Sequence, residues 1–433
     1  MIVIPEKYIV SSRRLLKGNE ALSLLVLKFG GTSVATIPAI ENVADKVAGE
    51  MARGHKIAVV VSAMAGVTNQ LVDYCNDVNP MHDAREYDAV VSSGEQVTSG
   101  LLSLALQKRG IPARSWMGWQ IPISTSAVHG KARIQSIETS DLKKQVLDGE
   151  VAVIAGFQGI APDMRISTLG RGGSDTSAVA VAAALKADRC DIYTDVKGVY
   201  TADPRIVSRA QKIDRISYEE MLEMASVGAK VLHTRSVELA IKANVPVQVL
   251  SSFEEALGSD LPGTLVVNED DIMEQEIVSG ITCSRDEAKV TLRNVPDQPG
   301  VAAKIFGPLA DAAINVDMIV QNLSADAKTT DLTFTVPRAD LPQTRKVLEK
   351  LQRELSGMQA ESSADVAKIS IIGIGMRSHV GVAQRMFSTL AEKGINIQVI
   401  TTSEIKVGVL IAEEYAELAV RALHTAYELD SAE

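Results

Sequence analysis

The chain has 433 residues, of which 46% are apolar, 23% charged and only 4% aromatic. At roughly 150 residues per domain, that length predicts about three domains with aliphatic, Ala-rich cores. The net charge of −10 argues against a general nucleic-acid or anionic-membrane binder, though not against a local anion pocket.

Residues 1–23 are mixed and partly basic, with Glu6, Lys7, Arg13, Arg14 and Lys17 around short apolar runs. They read as a disordered N-terminal extension rather than a signal peptide, with a start at Leu22 as an alternative. No later run approaches 18 apolar residues, so no transmembrane helix is expected. Cys75, Cys190 and Cys283 lie far apart, and no H-E-x-x-H occurs. That usage predicts a reduced, cytoplasmic protein without disulfides or a dedicated metal cage.

From residue 24 a regular pattern begins. Five short apolar runs read as buried parallel strands: Leu24–Phe29, Ile57–Val61, Val151–Ala155, Asp191–Thr194 and Val245–Leu250. Stretches of helical character separate them, among them Ile37–Arg53, Gly94–Lys108 and Ser177–Ala187. Strands alternating with helices predict an α/β layered domain, with its chemistry at the carboxyl ends of the strands.

Three strand ends carry that chemistry. Lys28-Phe29-Gly30-Gly31-Thr32-Ser33 puts an ammonium beside backbone N–H groups that can approach an anion, although a surface Lys at an ordinary turn is the plain alternative. Thr168-Leu169-Gly170-Arg171-Gly172-Gly173-Ser174-Asp175-Thr176 opens an Ala/Val-rich helix. Ser174 or Asp175 is expected to N-cap it, and Arg171 offers a fork for a carboxylate or phosphate. Asp195-Val196-Lys197-Gly198-Val199-Tyr200 through Arg205 is polar and turn-rich, and a plain loop explains it equally well. Ser93-Gly94-Glu95 starts another helix, where Glu95 reads first as a carboxylate favouring the helix dipole.

Together these segments suit phosphoryl transfer without a covalent enzyme intermediate, which needs cations and N–H donors around the moving group. No P-loop, protein-kinase signature, G-x-S-x-G or G-x-G-x-x-G after a strand is present.

After Pro262-Gly263 and the acidic Asn268-Glu269-Asp270-Asp271, the sequence repeats itself. Gly300-Val301-Ala302 returns as Gly381-Val382-Ala383, and Ile314-Asn315-Val316 as Ile395-Asn396-Ile397, at an offset of 81 residues. Phe306 and Leu309-Ala310 recur as Phe387 and Leu390-Ala391, and Ala288-Lys289-Val290 matches Ala367-Lys368-Ile369. Two copies of one small β-α-β module therefore fill the last third. Their exposed faces need cover, which predicts a homo-oligomer.

Lys28 through Ser33, Ser62-Ala63-Met64-Ala65-Gly66-Val67-Thr68, Ser93-Gly94-Glu95, Gly156-Phe157-Gln158-Gly159, Thr168–Asp175, Tyr193–Arg205 and Gly228-Ala229-Lys230-Val231-Leu232 occur in the order found in aspartate kinases. The chain resembles that family from residue 24 to about 428. The resemblance implies an amino-acid-kinase α/β/α domain over 24–262 and a connector and strand over 263–285. Two ferredoxin-like βαββαβ (ACT) modules would follow, over 286–360 and 366–428. It implies transfer of the γ-phosphoryl of ATP, as its Mg2+ complex, to the β-carboxylate of L-aspartate. By resemblance, Lys28 stabilises the transferring group and Asp175 orients the site. Phe29, Gly30, Gly31 and Ser33 flank the phosphates, while Thr194, Asp195, Tyr200, Arg205 and Lys230 hold the nucleotide. Arg171 clamps an aspartate carboxylate and Glu95 meets its amine, with Ser62, Thr68, Phe157, Ser174 and Asp175 completing the pocket.

The repeated modules would sense lysine, threonine or both. The matching positions are Asp297, Gly300, Ala302, Asn315, Val316, Asp317 and Gln321 in copy one, and Val382, Asn396, Ile397, Thr402 and Ser403 in copy two. Ser378-His379-Val380 replaces Asp297-Gln298-Pro299, so copy two lacks the first copy's acidic group. In this family the first module can be inserted within the second, which would pair the strand near Ile277–Thr282 with residues 366–428. Two alternatives remain. One is an amino-acid-kinase-fold enzyme with another acceptor, against which Arg171, Glu95 and the paired modules speak. The other is a non-catalytic sensor, against which Lys28, Arg171 and Asp175 speak.

Overall fold

Leu24–Phe29 is buried along its whole length, as a strand covered on both faces must be. It is β1 of a computed structural model that describes residues 23–227, 231–272, 277–323, 328–355 and 357–430. The extension expected at 1–23 lies outside them apart from Ser23, as do Gly228, Ala229 and Lys230. The described residues divide into two compact units, one within 23–199, 212–225 and 231–272, the other within 200–211, 226–227 and 277–430.

In the first unit α1 (Ile37–Ala52), β2 (Lys56–Val61), α2 (Val67–Val78), α3 (Ala84–Val91) and α4 (Ser93–Lys108) follow β1. Next come β3 (Ala113–Trp116), β4 (Ile123–Thr125), β5 (Ile134–Ile137), α5 (Ser140–Asp148), β6 (Val151–Ala155), β7 (Gln158–Ile160) and β8 (Ile166–Thr168). The remainder is α6 (Gly173–Leu185), β9 (Arg189–Thr194), β10 (Arg215–Ser217), α7 (Tyr218–Ser226), α8 (Thr234–Ala243), β11 (Val247–Ser251) and β12 (Thr264–Val267). Eight strands form one sheet in the order β10-β12-β11-β9-β1-β2-β6-β3. All its neighbours run parallel except β11 and β12. The five expected strands are all present, and β9, β1, β2 and β6 are adjacent at its centre.

Strand periodicity decides which side chains meet. Leu25, Leu27 and Phe29 join Val43 and Val47 of α1 and Leu102 and Leu106 of α4 in one core. Val26 and Lys28 therefore face the opposite side, where α6 packs on β1. The Ala-rich α6 is buried through Ala178, Val179, Ala180, Val181 and Ala182, which lets it lie close to the sheet. Its beginning differs from expectation. Neither Ser174 nor Asp175 caps it: the N-cap is Gly172, at φ 69°, and Asp175 stands in the first turn. A second sheet, in the order β5-β4-β7-β8, was not foreseen, because strands of three or four residues carry too little pattern.

The second unit holds β13 (Gly280–Pro296), α9 (Val301–Asp311), β14 (Asp317–Leu323), β15 (Thr329–Pro337) and α10 (Leu341–Glu354). It continues with β16 (Gln359–Ile372), α11 (Val382–Glu392), β17 (Val399–Thr402), β18 (Lys406–Ala412) and α12 (Ala416–Ala426). One antiparallel sheet, β14-β15-β13-β16-β18-β17, serves both repeats. The N-terminal part of β13 pairs Gly280–Ser284 with Lys368–Ile372, as an inserted first module requires. A single strand thus runs through residues 285 and 286. Two separate cores lie on the sheet, one around Ile305, Leu309 and Phe334, the other around Met386, Leu390 and Leu423. Gly300 and Gly381 stand at the N-caps of α9 and α11 with φ of 88° and 87°, so the sequence repeat is also a conformational repeat.

Candidate active site

Lys28 sits at the end of β1, 8% exposed. Its Nζ lies 2.6 Å from Asp175 Oδ1 in the first turn of α6. The strand's alternation delivers the ammonium to that face, and the Gly172-Gly173 turn brings the carboxylate to it. A chain passing from the strand through Gly30 enters a short 3-10 turn over Gly31–Val34. Ser33 is buried there and its hydroxyl meets Ser252 Oγ, just beyond β11. Ser252 was not singled out in the sequence, although Ser251-Ser252 closes an apolar run just as Ser62-Ala63 does. Gly30 N–H donates to Tyr193 O on β9, and the Tyr193 ring stacks on Phe29 at 4.5 Å.

Small residues let these strand ends crowd together. A Cβ on Gly94 would stand 2.7 Å from the Ala63 Cβ, and one on Gly156 would stand 2.9 Å from Val61 O and 3.1 Å from the Ser174 Cβ. The start of α4 is therefore pressed against the end of β2. Glu95 consequently points inward, 3% exposed, with Oε1 accepting from Ala63 N–H at 3.0 Å. Its Oε2 is buried with no hydrogen-bond partner. Burial pushes the carboxyl up to about 7, against the opposing pull of the Ala63 N–H. The plain dipole reading of Glu95 does not account for a carboxylate oxygen buried and waiting for a donor.

Arg171 is exposed and carries no hydrogen bond or ion pair among the described residues. Ser62, Thr68 and Ser174 are half-buried; Ser62 N–H donates to Phe29 O, and Thr68 is the second residue of α2. Phe157 adopts φ 67°, a conformation uncommon outside glycine, with its N–H bound by Ser177 Oγ and its carbonyl by Leu169 N–H. Thr194 ends β9, next to β1, with Asp195 just beyond it, and Thr194 O accepts from Ser252 N–H. Lys28, Gly30, Gly31, Ser33, Ser62, Glu95, Phe157, Ser174, Asp175 and Thr194 thus converge on the carboxyl ends of four adjacent strands.

Other expected residues fall elsewhere. Tyr200 and Arg205 belong to the second unit, where Arg205 is exposed and paired with Asp203 at 2.6 Å. Lys230 lies outside the described residues. In the repeat modules Asp297, Gly300, Ala302, Asn315, Gln321, Asn396, Thr402 and Ser403 are exposed, and Val316, Val382 and Ile397 are half-buried. Asp317 is already engaged: buried Lys368 of the other repeat holds it at 2.6 Å. The reverse contact joins Lys289 Nζ to Gln398 Oε1, also at 2.6 Å. Gln398 is the residue 81 positions beyond Asp317, so the two repeats grip one another reciprocally.

Residues 23–251 match the Amino acid kinase family, and residues 290–353 and 369–427 each match an ACT domain. The chain is 55% identical over 411 residues to the aspartate kinase Ask_LysC of Stutzerimonas stutzeri, covering 95% of this chain and 98% of that protein. Among solved structures it resembles E. coli aspartokinase III in complex with aspartate and ADP (R-state), with TM-score 0.76 and 28% identity. It also resembles the same enzyme in complex with lysine and aspartate (T-state), with TM-score 0.73 and 29% identity. Each comparison covers 93% of this chain and 99% of the other. A catalytic fold of the right family, two ACT repeats behind it and near-complete coverage by aspartate kinases lead to one conclusion: the chain belongs to the aspartate kinase family.

Proposed function

We propose that this ATP-dependent aspartate kinase carries out its chemistry at the carboxyl ends of β1, β2, β6 and β9. A β-carboxylate oxygen of L-aspartate attacks the γ-phosphorus of ATP. The bond from that phosphorus to the β–γ bridging oxygen breaks, leaving ADP and 4-phospho-L-aspartate. Lys28 carries the reading: a cation at a strand end, held 2.6 Å from Asp175, faces the turns where phosphates would sit. Its ammonium neutralises charge on the equatorial oxygens as they move, and Asp175 keeps it aimed. Phe29, Gly30, Gly31 and Ser33 flank the phosphates. Thr194 and Asp195, at the end of β9, are assigned to the nucleotide, and the resemblance adds Lys230 to them.

The acceptor is recognised at both of its ends. Arg171 supplies a free guanidinium for a carboxylate. Glu95 supplies the buried Oε2 for the ammonium, and Ser62, Thr68, Phe157 and Ser174 close the pocket. Among the described residues no group of three or more His, Cys, Asp or Glu side chains is placed to cage an ion. Magnesium is assigned to the phosphates of the nucleotide with which it arrives. The aspartate and ADP bound by the E. coli relative support both substrate assignments.

Residues 24–262 are assigned as the catalytic domain, with ACT modules over 286–360 and 366–428 after a connector. The lysine complex of the E. coli relative supports lysine as an effector. Threonine is proposed beside it, and effector binding is assigned to Asp297, Gly300, Ala302, Asn315, Val316, Asp317 and Gln321 and to Val382, Asn396, Ile397, Thr402 and Ser403. Ile319 and Ile400, exposed on the edge strands β14 and β17, support assembly of this unit with a second copy. A cytoplasmic location fits the substrates, and no helix among the described residues is long and apolar enough to cross a membrane.

Steady-state kinetics with hydroxylamine trapping of the acyl phosphate test the central role. Lys28→Ala should lower kcat by roughly 100-fold or more while leaving the KM for aspartate within about threefold. Hydroxamate formation at the wild-type rate by that variant would remove Lys28 from the mechanism.

A further inference from the structure

Asp88 is an ionisable residue that the phosphoryl-transfer chemistry does not use. It lies on α3 and is fully buried. A buried carboxylate is costly unless its lone pairs are filled, and here they are. Oδ1 accepts from Thr168 Oγ1 at 2.5 Å, and Oδ2 from Thr168 N–H at 3.0 Å. Both oxygens lie 3.1 Å from Gly130 N, and His129 Nδ1 is 2.8 Å from Oδ2. One side chain thus ties α3, the 129–130 turn and the end of β8.

The network continues towards the candidate acceptor site. Ala132 N–H donates to Thr168 O, and Leu169 N–H to Phe157 O. Arg235, from the first turn of α8, donates to Leu169 O at 2.5 Å and Ala132 O at 3.0 Å. Gly170 takes φ 75°, and a Cβ there would approach Gly130 O at 3.1 Å. Gly172 lies against His233, where a Cβ would stand 2.2 Å from the ring. Every backbone position from Thr168 to Gly170 is therefore fixed from below by Asp88 or Arg235 or by what they hold. Arg171, the next residue, is the one left exposed and unpartnered.

We propose that Asp88, working through Thr168 and backed by Arg235, is a positioning residue that aims Arg171 at a carboxylate of the amino-acid acceptor. Hydrogen bonds from Asp88 and Arg235 on several sides hold this backbone in one geometry, and a fixed geometry is what a bidentate clamp needs. This inference rests on the assignment of Arg171 to the acceptor carboxylate.

The test is steady-state kinetics on Thr168→Val, Asp88→Asn and Arg171→Ala, and on the combinations of the first two with the third. Thr168→Val removes one hydroxyl and keeps the backbone donor, so it provides the reading even if Asp88→Asn does not fold. Thr168→Val should raise the KM for aspartate roughly 3- to 10-fold, the scale of one hydrogen bond to a charge. The KM for ATP should stay within about twofold. In the Arg171→Ala background the further rise should vanish, because the group being aimed is gone. A parallel rise in both KM values, or an undiminished rise without Arg171, would overturn the proposal and leave the Arg171 assignment standing. An unchanged KM for aspartate in Arg171→Ala alone would overturn that assignment and the inference with it.

Discussion

At the residue scale, Arg171 stood out as a candidate because an Arg set among three glycines has few plain explanations, whereas Lys28 read equally as a surface Lys at an ordinary turn. Glu95 did not stand out. Carboxylates are common in first helical turns, and what makes this one unusual is burial against Ala63, 32 residues away in sequence. That burial has a signed consequence. With burial pushing its carboxyl from 4.5 up to about 7, Glu95 is partly protonated near neutrality. The folded state then binds more protons than the unfolded chain between about pH 4.5 and 7, so this group removes stability as pH rises through that window. The acceptor's ammonium reverses the balance by meeting the ionised form. Accordingly, kcat/KM for aspartate should fall as pH drops below about 7. Glu95→Gln should raise the KM for aspartate by about tenfold and flatten that limb, as loss of one charge-assisted bond predicts. A Gln variant that kept the wild-type pH profile would show that another group titrates. The failed cap prediction is also a matter of single residues. Ser174 and Asp175 have the right chemistry for a cap, but Gly172 in the left-handed region starts the helix two to three residues earlier and leaves Asp175 in the first turn, beside Lys28.

At the element scale, long buried strands declared themselves through composition, and the short ones of the second sheet did not. The stretch after β9 shows the other blind spot. Residues 195–205 read as one loop, yet the structure divides them: the chain leaves the first unit after Val199 and returns at Lys212. Within the second unit Thr201 Oγ1 lies 2.8 Å from Nε2 of fully buried His424, whose Nδ1 lies 2.8 Å from Asp430 Oδ1. Thr201 O accepts from Ile281 N–H, and Gln211 Nε2 donates to Asp430 O. None of these partners is near the stretch in sequence, so no local pattern could reveal them. His424→Ala should leave Thr201 and Asp430 without a shared partner. Hydrogen exchange should then quicken across residues 200–211, with the amides of β1 and β2 unchanged. Equal protection of 200–211 in variant and wild type would mean that His424 does not hold the segment.

At the scale of the whole molecule, the offset of 81 residues made the duplication plain, whereas the interleaving of the two modules depended on pairings no repeat can show. β13 and β16 are each shared by both modules, and Lys368–Asp317 with Lys289–Gln398 cross between them. A ligand that changes one module therefore meets a sheet that is common to both. Lysine, threonine or the two together should lower the initial rate, and Asp297→Ala should relieve the inhibition found. Initial rates indifferent to millimolar amounts of each, singly and combined, would leave the modules without that regulatory task. The net charge of −10 proved silent about ligands, since both substrates are themselves anions. The central claim is tested most directly by acceptor-dependent ATP turnover of the full chain, with hydroxamate trapping across L-aspartate, L-glutamate and no acceptor. The account predicts ADP release and hydroxamate in equal amounts with aspartate, and neither at a comparable rate with glutamate or without acceptor. ADP release independent of aspartate, or glutamate serving equally well, would contradict it.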